Sequence, residues 1–71
     1  MKPGDLVRVP YRRFIFATMS GGHCVGEIAA GEIVMIIEVY DRRNKVKILH
    51  PVHGPGFILR RGEEEVISET R

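Results

Sequence analysis

The chain has 71 residues, 44% of them hydrophobic, with a formal net charge of +2 and a single cysteine. A domain of this size hides only about 60% of the surface its unfolded chain exposes, so its core is small. One cysteine excludes an internal disulfide framework and points to a reducing interior, and so small a net charge does not by itself imply a nucleic-acid partner.

Gly4-Asp5 is a turn pair, and Leu6-Val7-Arg8-Val9 then alternates, with Val7 and Val9 on one side and Arg8 on the other, as in a short strand. Pro10, which has no amide hydrogen to give, ends it. Residues 11–19 mix Arg12 and Arg13 with Phe14, Ile15 and Phe16, and read as an extended arm or a brief strand. Glycines at 21, 22, 26 and 31 punctuate the next stretch, so residues 19–31 read as a long excursion with at most a helical turn over 27–30.

Residues 32–40, EIVMIIEVY, carry the strongest pattern: Ile33, Met35, Ile37 and Val39 form an apolar row at period two, which predicts a strand buried on that face. The opposite row, with Val34 and Ile36, is expected to be partly covered. A polar turn, Asp41-Arg42-Arg43-Asn44, leads into Lys45-Val46-Lys47-Ile48, making residues 32–50 a hairpin with Val46 and Ile48 inside and both lysines outside. His50-Pro51-Val52-His53-Gly54-Pro55-Gly56 reads as a stiff corner. Residues 57–60 form a fourth strand, residues 61–65 a turn and residues 66–68 a last short strand. The longest apolar run, residues 33–37, is far short of a membrane span and no leader organisation opens the chain, so a soluble protein is expected.

Charge is unevenly distributed. Residues 1–61 carry ten basic and five acidic groups, while residues 62–71 carry one and four, so the acidic tail is expected to lie against the basic body and partly neutralise it.

Five short strands, a long loop over about residues 10–31 and a central hairpin over about 32–50 are the order of a small all-β, SH3-like barrel forming one domain. Closure would also protect a strand as apolar as EIVMIIEVY from edge-to-edge aggregation. The opening MKPGDLVRV, the pairing of GEIVMIIEV with KVKIL across a charged turn, and the close LRRGEEEVISE together resemble short SH3-like barrel proteins of tailed bacteriophages, marine and cyanobacterial ones in particular. That resemblance implies a host-cell interior or a virion as the location. Barrels of this kind often have a tighter first loop, which makes residues 11–31 the expected seat of a special role. The GDLVRV opening is also similar to KOW-type ribosomal and transcription modules and to the PsaE-type photosystem subunit.

No phosphate loop, paired carboxylates or nucleophile-base arrangement supports catalysis, so a non-enzymatic protein is expected, with no cofactor. His23, Cys24, His50 and His53 have the ligand softness for zinc, but adjacent residues such as His23 and Cys24 are an awkward pair for one tetrahedron, and the corner is read as loop. Apolar residues exceed what a small core needs. Tyr11, Phe14, Phe16, Met19, Val34 and Ile36 are therefore the expected contacts to a protein partner or to a second copy, in a virion or assembly component or a host-directed adaptor. The alternative is a KOW-like nucleic-acid module using Arg12, Arg13, Arg42, Arg43, Lys45 and Lys47. Against it, only Tyr11 and Tyr40 are expected to be available for stacking on bases, because Phe14, Phe16 and Phe57 are more useful in the core.

Overall fold

The computed structural model describes residues 1–62 and 64–68. Seven strands among them form one antiparallel sheet: β1 Leu6–Arg8, β2 Arg13–Phe16, β3 Cys24–Ile28, β4 Ile33–Tyr40, β5 Lys45–His50, β6 Gly54–Leu59 and β7 Glu65–Ser68. The order across the sheet is β3-β2-β6-β5-β4-β1-β7. A 3-10 turn, Asp41–Arg43, joins β4 to β5, and Asn44 closes it in the left-handed region at φ 52°. Among the described residues no helix is long and apolar enough to cross a membrane.

The core is nine aliphatic side chains, Val7, Val9, Ile15, Ile28, Val34, Ile36, Val46, Ile48 and Ile58, each no more than 1% exposed. Eight of them come from strands of the one sheet and Val9 directly follows β1; all nine pack in one cluster, and among the described residues no helix or second sheet lies above it. The sheet must therefore wrap around its own concave face. Register shows how the inner rows assemble: Val34 lies opposite Val7, Ile36 opposite Ile48, and Val46 between Val39 and Ile58.

The two faces of β4 are reversed relative to the sequence pattern. Val34 and Ile36 are core, whereas Ile33 and Met35 are exposed. The pairing of β4 with β5 shifts between Ile36 and Glu38, so Ile37 is an extra residue. This bulge restores the alternation one residue later, sending Glu38 outward and the partly buried Val39 inward. The unbroken row of Ile33, Met35, Ile37 and Val39 thus joins positions from both faces.

The expected long loop is also corrected. Residues 13–28 contain a hairpin, β2 paired with β3, and no helical turn at residues 27–30. Gly26 sits inside β3 because the His53 ring lies against its backbone; a Cβ there would fall 2.5 Å from His53 Cγ. What reads as a breaker is a close approach. Gly56 does the same where β2 crosses β6, since a Cβ would lie 2.2 Å from Ile15 Cγ2. The corner is correspondingly shorter than expected: Gly54, Pro55 and Gly56 already pair with His50, Leu49 and Ile48.

Arg13 on β2 is buried, and its guanidinium donates to Glu64 Oε2 at 2.8 Å and to the Leu59 carbonyl. It thereby binds β2 to the end of β6 and to the segment before β7. Burial alone would raise the Glu64 carboxyl, but hydrogen bonds from Arg13 and from the Arg61 amide outweigh it and hold it below the ordinary carboxylate range. Glu65 pairs with Arg8 at 3.1 Å. These two glutamates do lie against the basic body, while Glu63, Glu69 and Arg71 lie outside the described residues.

Two outcomes check this architecture. Ile36→Ala should cost about 3 kcal/mol in urea unfolding, as a buried aliphatic truncation does, and Ile33→Ala less than about 1 kcal/mol. Because the folded Glu64 carboxyl lies below its unfolded value, its contribution is present above the unfolded value of about 4.3 and is lost as pH falls further through the folded one. Stability of Glu64→Gln should accordingly fall less steeply than wild type in that acid window.

Candidate binding face

The outward side chains follow from the inward ones by the two-residue period of a strand. On β2, Arg13 and Ile15 are buried, so Phe14 and Phe16 face out; on β5, Val46, Ile48 and His50 are buried, so Lys45, Lys47 and Leu49 face out. On β6 the outward set is Pro55, Phe57 and Leu59. The convex surface then divides into two regions.

The first is apolar. Leu6 pairs with Met35, Met35 with Leu49 and Leu49 with Pro55, giving one outward row across β1, β4, β5 and β6. All four are exposed, Leu6, Met35 and Leu49 to 36–38%, and Ile33 extends the row on the same face of β4. Its rim is electrically balanced where Arg8, beside Ile33, is paired to Glu65.

The second is aromatic and basic. Phe16 registers opposite Phe57, and the Tyr40 and Phe57 rings are 6.0 Å apart. Lys47 Nζ sits 5.7 Å from the Phe57 centroid, and the Arg12 guanidinium 5.4 Å from that of Phe14. A groove of about 290 Å³ runs between Tyr11, Arg12, Phe14, Phe16, Leu59 and Arg61. Phe16 and Leu59 also wall a second, smaller cleft of about 200 Å³ beside Lys45 and Phe57. Desolvation, reinforced by Glu38, pushes the Tyr40 phenol above its ordinary value, so it stays neutral.

These placements separate the expected contact residues. Phe14, Phe16 and Tyr11 line the groove, whereas Val34 and Ile36 are core and cannot touch a partner, because the face of β4 that carries them is the concave one. Met19 is half-buried, and its carbonyl accepts from Lys45 Nζ. Leu6, Ile33, Met35 and Leu49 were missed as an outward row; the signal was present in the period of β4 but attached to the wrong face.

The basic candidates split as well. Arg13 is internal, and Arg12 reaches Glu27 at 3.6 Å. Arg42 and Arg43 are exposed on the 3-10 turn and make no ion pair among the described residues, while Arg60 is tied to Asp41. Arg61, from the third cluster, joins Arg12 at the groove.

Two of the three histidines, His50 and His53, pack together at the corner. The His50 ring is 4% exposed, and its Nδ1 accepts the amides of Val52 at 3.0 Å and His53 at 3.2 Å, locking the corner. Its Nε2 lies 3.1 Å from Glu32 Oε1 but out of hydrogen-bond alignment. The Ala29 amide and then His50 hold the Glu32 carboxyl below the ordinary range. His53 stacks 4.7 Å from His50 and borders an open cleft with Cys24. His23 and Cys24 are exposed, and no three ligating side chains come together among the described residues.

Comparison with family models, with curated proteins and with solved structures returns no match. His50→Leu should destabilise by about 2 kcal/mol, the loss of two hydrogen bonds to Nδ1 at about 1 kcal/mol each, and hydrogen-exchange NMR should show faster exchange at the Val52 and His53 amides.

Proposed function

We propose that the chain is a non-enzymatic interaction module which associates with a second copy of itself through the apolar row of Leu6, Ile33, Met35 and Leu49. The observation that carries this is the continuity of the row: β1, β4 and β5 place these exposed aliphatic side chains side by side, with Pro55 of β6 continuing the line, on a face that no described residue covers. Exposed apolar patches of this kind mark interaction surfaces. The charge pairing at the rim favours a like partner, because neutral surroundings let two copies meet without repulsion. An isologous contact further requires only one patch, matched against itself.

The same reading takes the wrapped sheet as a small SH3-like barrel, elaborated by the β2–β3 hairpin, with the Arg13–Glu64 bond drawing its two ends together. Strand order and a single aliphatic core support it. The resemblance of MKPGDLVRV, GEIVMIIEV and LRRGEEEVISE to tailed-phage barrels is what supports reading such a module as a small virion or assembly component, or as an adaptor directed at a host protein.

Native mass spectrometry and sedimentation equilibrium test the contact. Wild type should form a closed oligomer at micromolar concentration, and Met35→Glu combined with Leu49→Glu should give a folded monomer, since both side chains face outward. A monomeric wild type, or a double variant that associates as wild type does, overturns the reading.

A further inference from the structure

All five aromatic residues of the chain lie outside the buried core, which is valine and isoleucine only. In a domain this short of core, three phenylalanines would be expected inside, where each contributes more burial than a valine. Their position on the surface is not scattered. Tyr11, Phe14, Phe16, Phe57 and Tyr40 all belong to the aromatic and basic region, spread over β2, β6 and β4 and the segment before β2.

Their neighbours are cations. Arg12 and Lys47 lie against the Phe14 and Phe57 rings, Arg61 lines the groove and Lys45 the adjoining cleft. Among the described residues the acidic groups here are partnered: Glu27 is drawn to Arg12, Glu38 lies opposite Lys47 on the neighbouring strand, and Glu64 is buried against Arg13. A surface that alternates half-exposed rings with positive charge offers two things together, flat faces for planar apolar groups and compensation for a regularly spaced negative backbone.

One ligand class needs both. We infer that the aromatic and basic region binds an unpaired nucleic-acid strand, its bases stacking on Phe14, Phe16, Phe57 and Tyr40 and its phosphates meeting Arg12, Lys45, Lys47 and Arg61. Stacking is tolerant of sequence, because every base has a π face. A duplex keeps its bases stacked on one another and so offers the rings no purchase. The inference stands apart from the self-association reading, since it uses none of Leu6, Ile33, Met35 and Leu49.

The test is fluorescence anisotropy of labelled oligo-dT and oligo-rU of about 12 nucleotides, within the span of known small single-strand sites. A duplex of equal length and unlabelled heparin serve as competitors. Both strands should bind, or one of them, which would identify DNA or RNA as the source. Four phosphates neutralised on a single strand would lower affinity roughly 50-fold between about 50 and about 200 mM salt. Phe14→Leu, at a side chain 50% exposed, and Phe57→Leu should each weaken binding about tenfold by removing a stacking ring. Lys47→Gln should reduce the logarithmic salt slope by about 0.7. Met35→Glu with Leu49→Glu should retain strand binding, so failure of the oligomer and failure of this inference are distinguishable. No anisotropy change at low salt overturns it. So does binding that both phenylalanine variants preserve and duplex or heparin competes away equally, because that is the signature of charge alone.

Discussion

Arg13 is the residue on which the arrangement turns. A guanidinium is costly to remove from water, and it is tolerated inside only when its donors are met. Here they are met by the Glu64 carboxylate and the Leu59 carbonyl, groups distant in sequence. The bond therefore fixes how β2 approaches β6 and where the chain runs before β7. It also sets the parity of β2: with Arg13 and Ile15 inward, Phe14 and Phe16 have no choice but to face out. A structural ion pair in this way determines the composition of the surface.

That parity argument explains how much of the molecule was legible in its sequence. The 32–50 hairpin, its inward Val46 and Ile48 and the short strand around Val7 followed from alternation, which is a local property. The inner face of β4 did not, because the bulge at Ile37 is specified by the partner strand and leaves no residue signature in a run of apolar side chains. β3 was obscured for a different reason. A glycine within five residues reads as a breaker, and only the His53 ring packed on Gly26 shows why it is there. Of the candidate residues, Phe14 and Phe16 could be read from the sequence either as surplus to a small core or as part of it, and their outward position emerges only from the parity of β2, whereas Arg13 looked like one half of a basic pair and is its opposite in role.

The glycines and the aliphatic core belong to one solution. A sheet with no second layer must curve tightly enough to cover itself, and its concave side has room only for compact branched side chains, interrupted at Gly56 where Ile15 intrudes. Valine and isoleucine suit such a space and the extended backbone together. The phenylalanine rings lie on the convex side instead, beside the long stems of lysine and arginine. Exclusion from the core and availability at the surface are thus the same fact seen from two sides.

The convex side is in turn graded. At the Leu6–Pro55 row the neighbouring charges cancel and the exposed surface is aliphatic, whereas towards Phe57, Phe16 and Phe14 the charges are predominantly positive and the surface is aromatic. The two ends respond oppositely to ionic strength. Screening removes the repulsion and attraction that govern a charged ligand within a Debye length of about 8 Å at physiological salt, while it leaves burial of aliphatic surface intact or strengthens it. Because β4, β5 and β6 run through both regions, the same three strands present an aliphatic surface at one end and an aromatic, basic surface at the other, so a ligand at one end need not displace a ligand at the other.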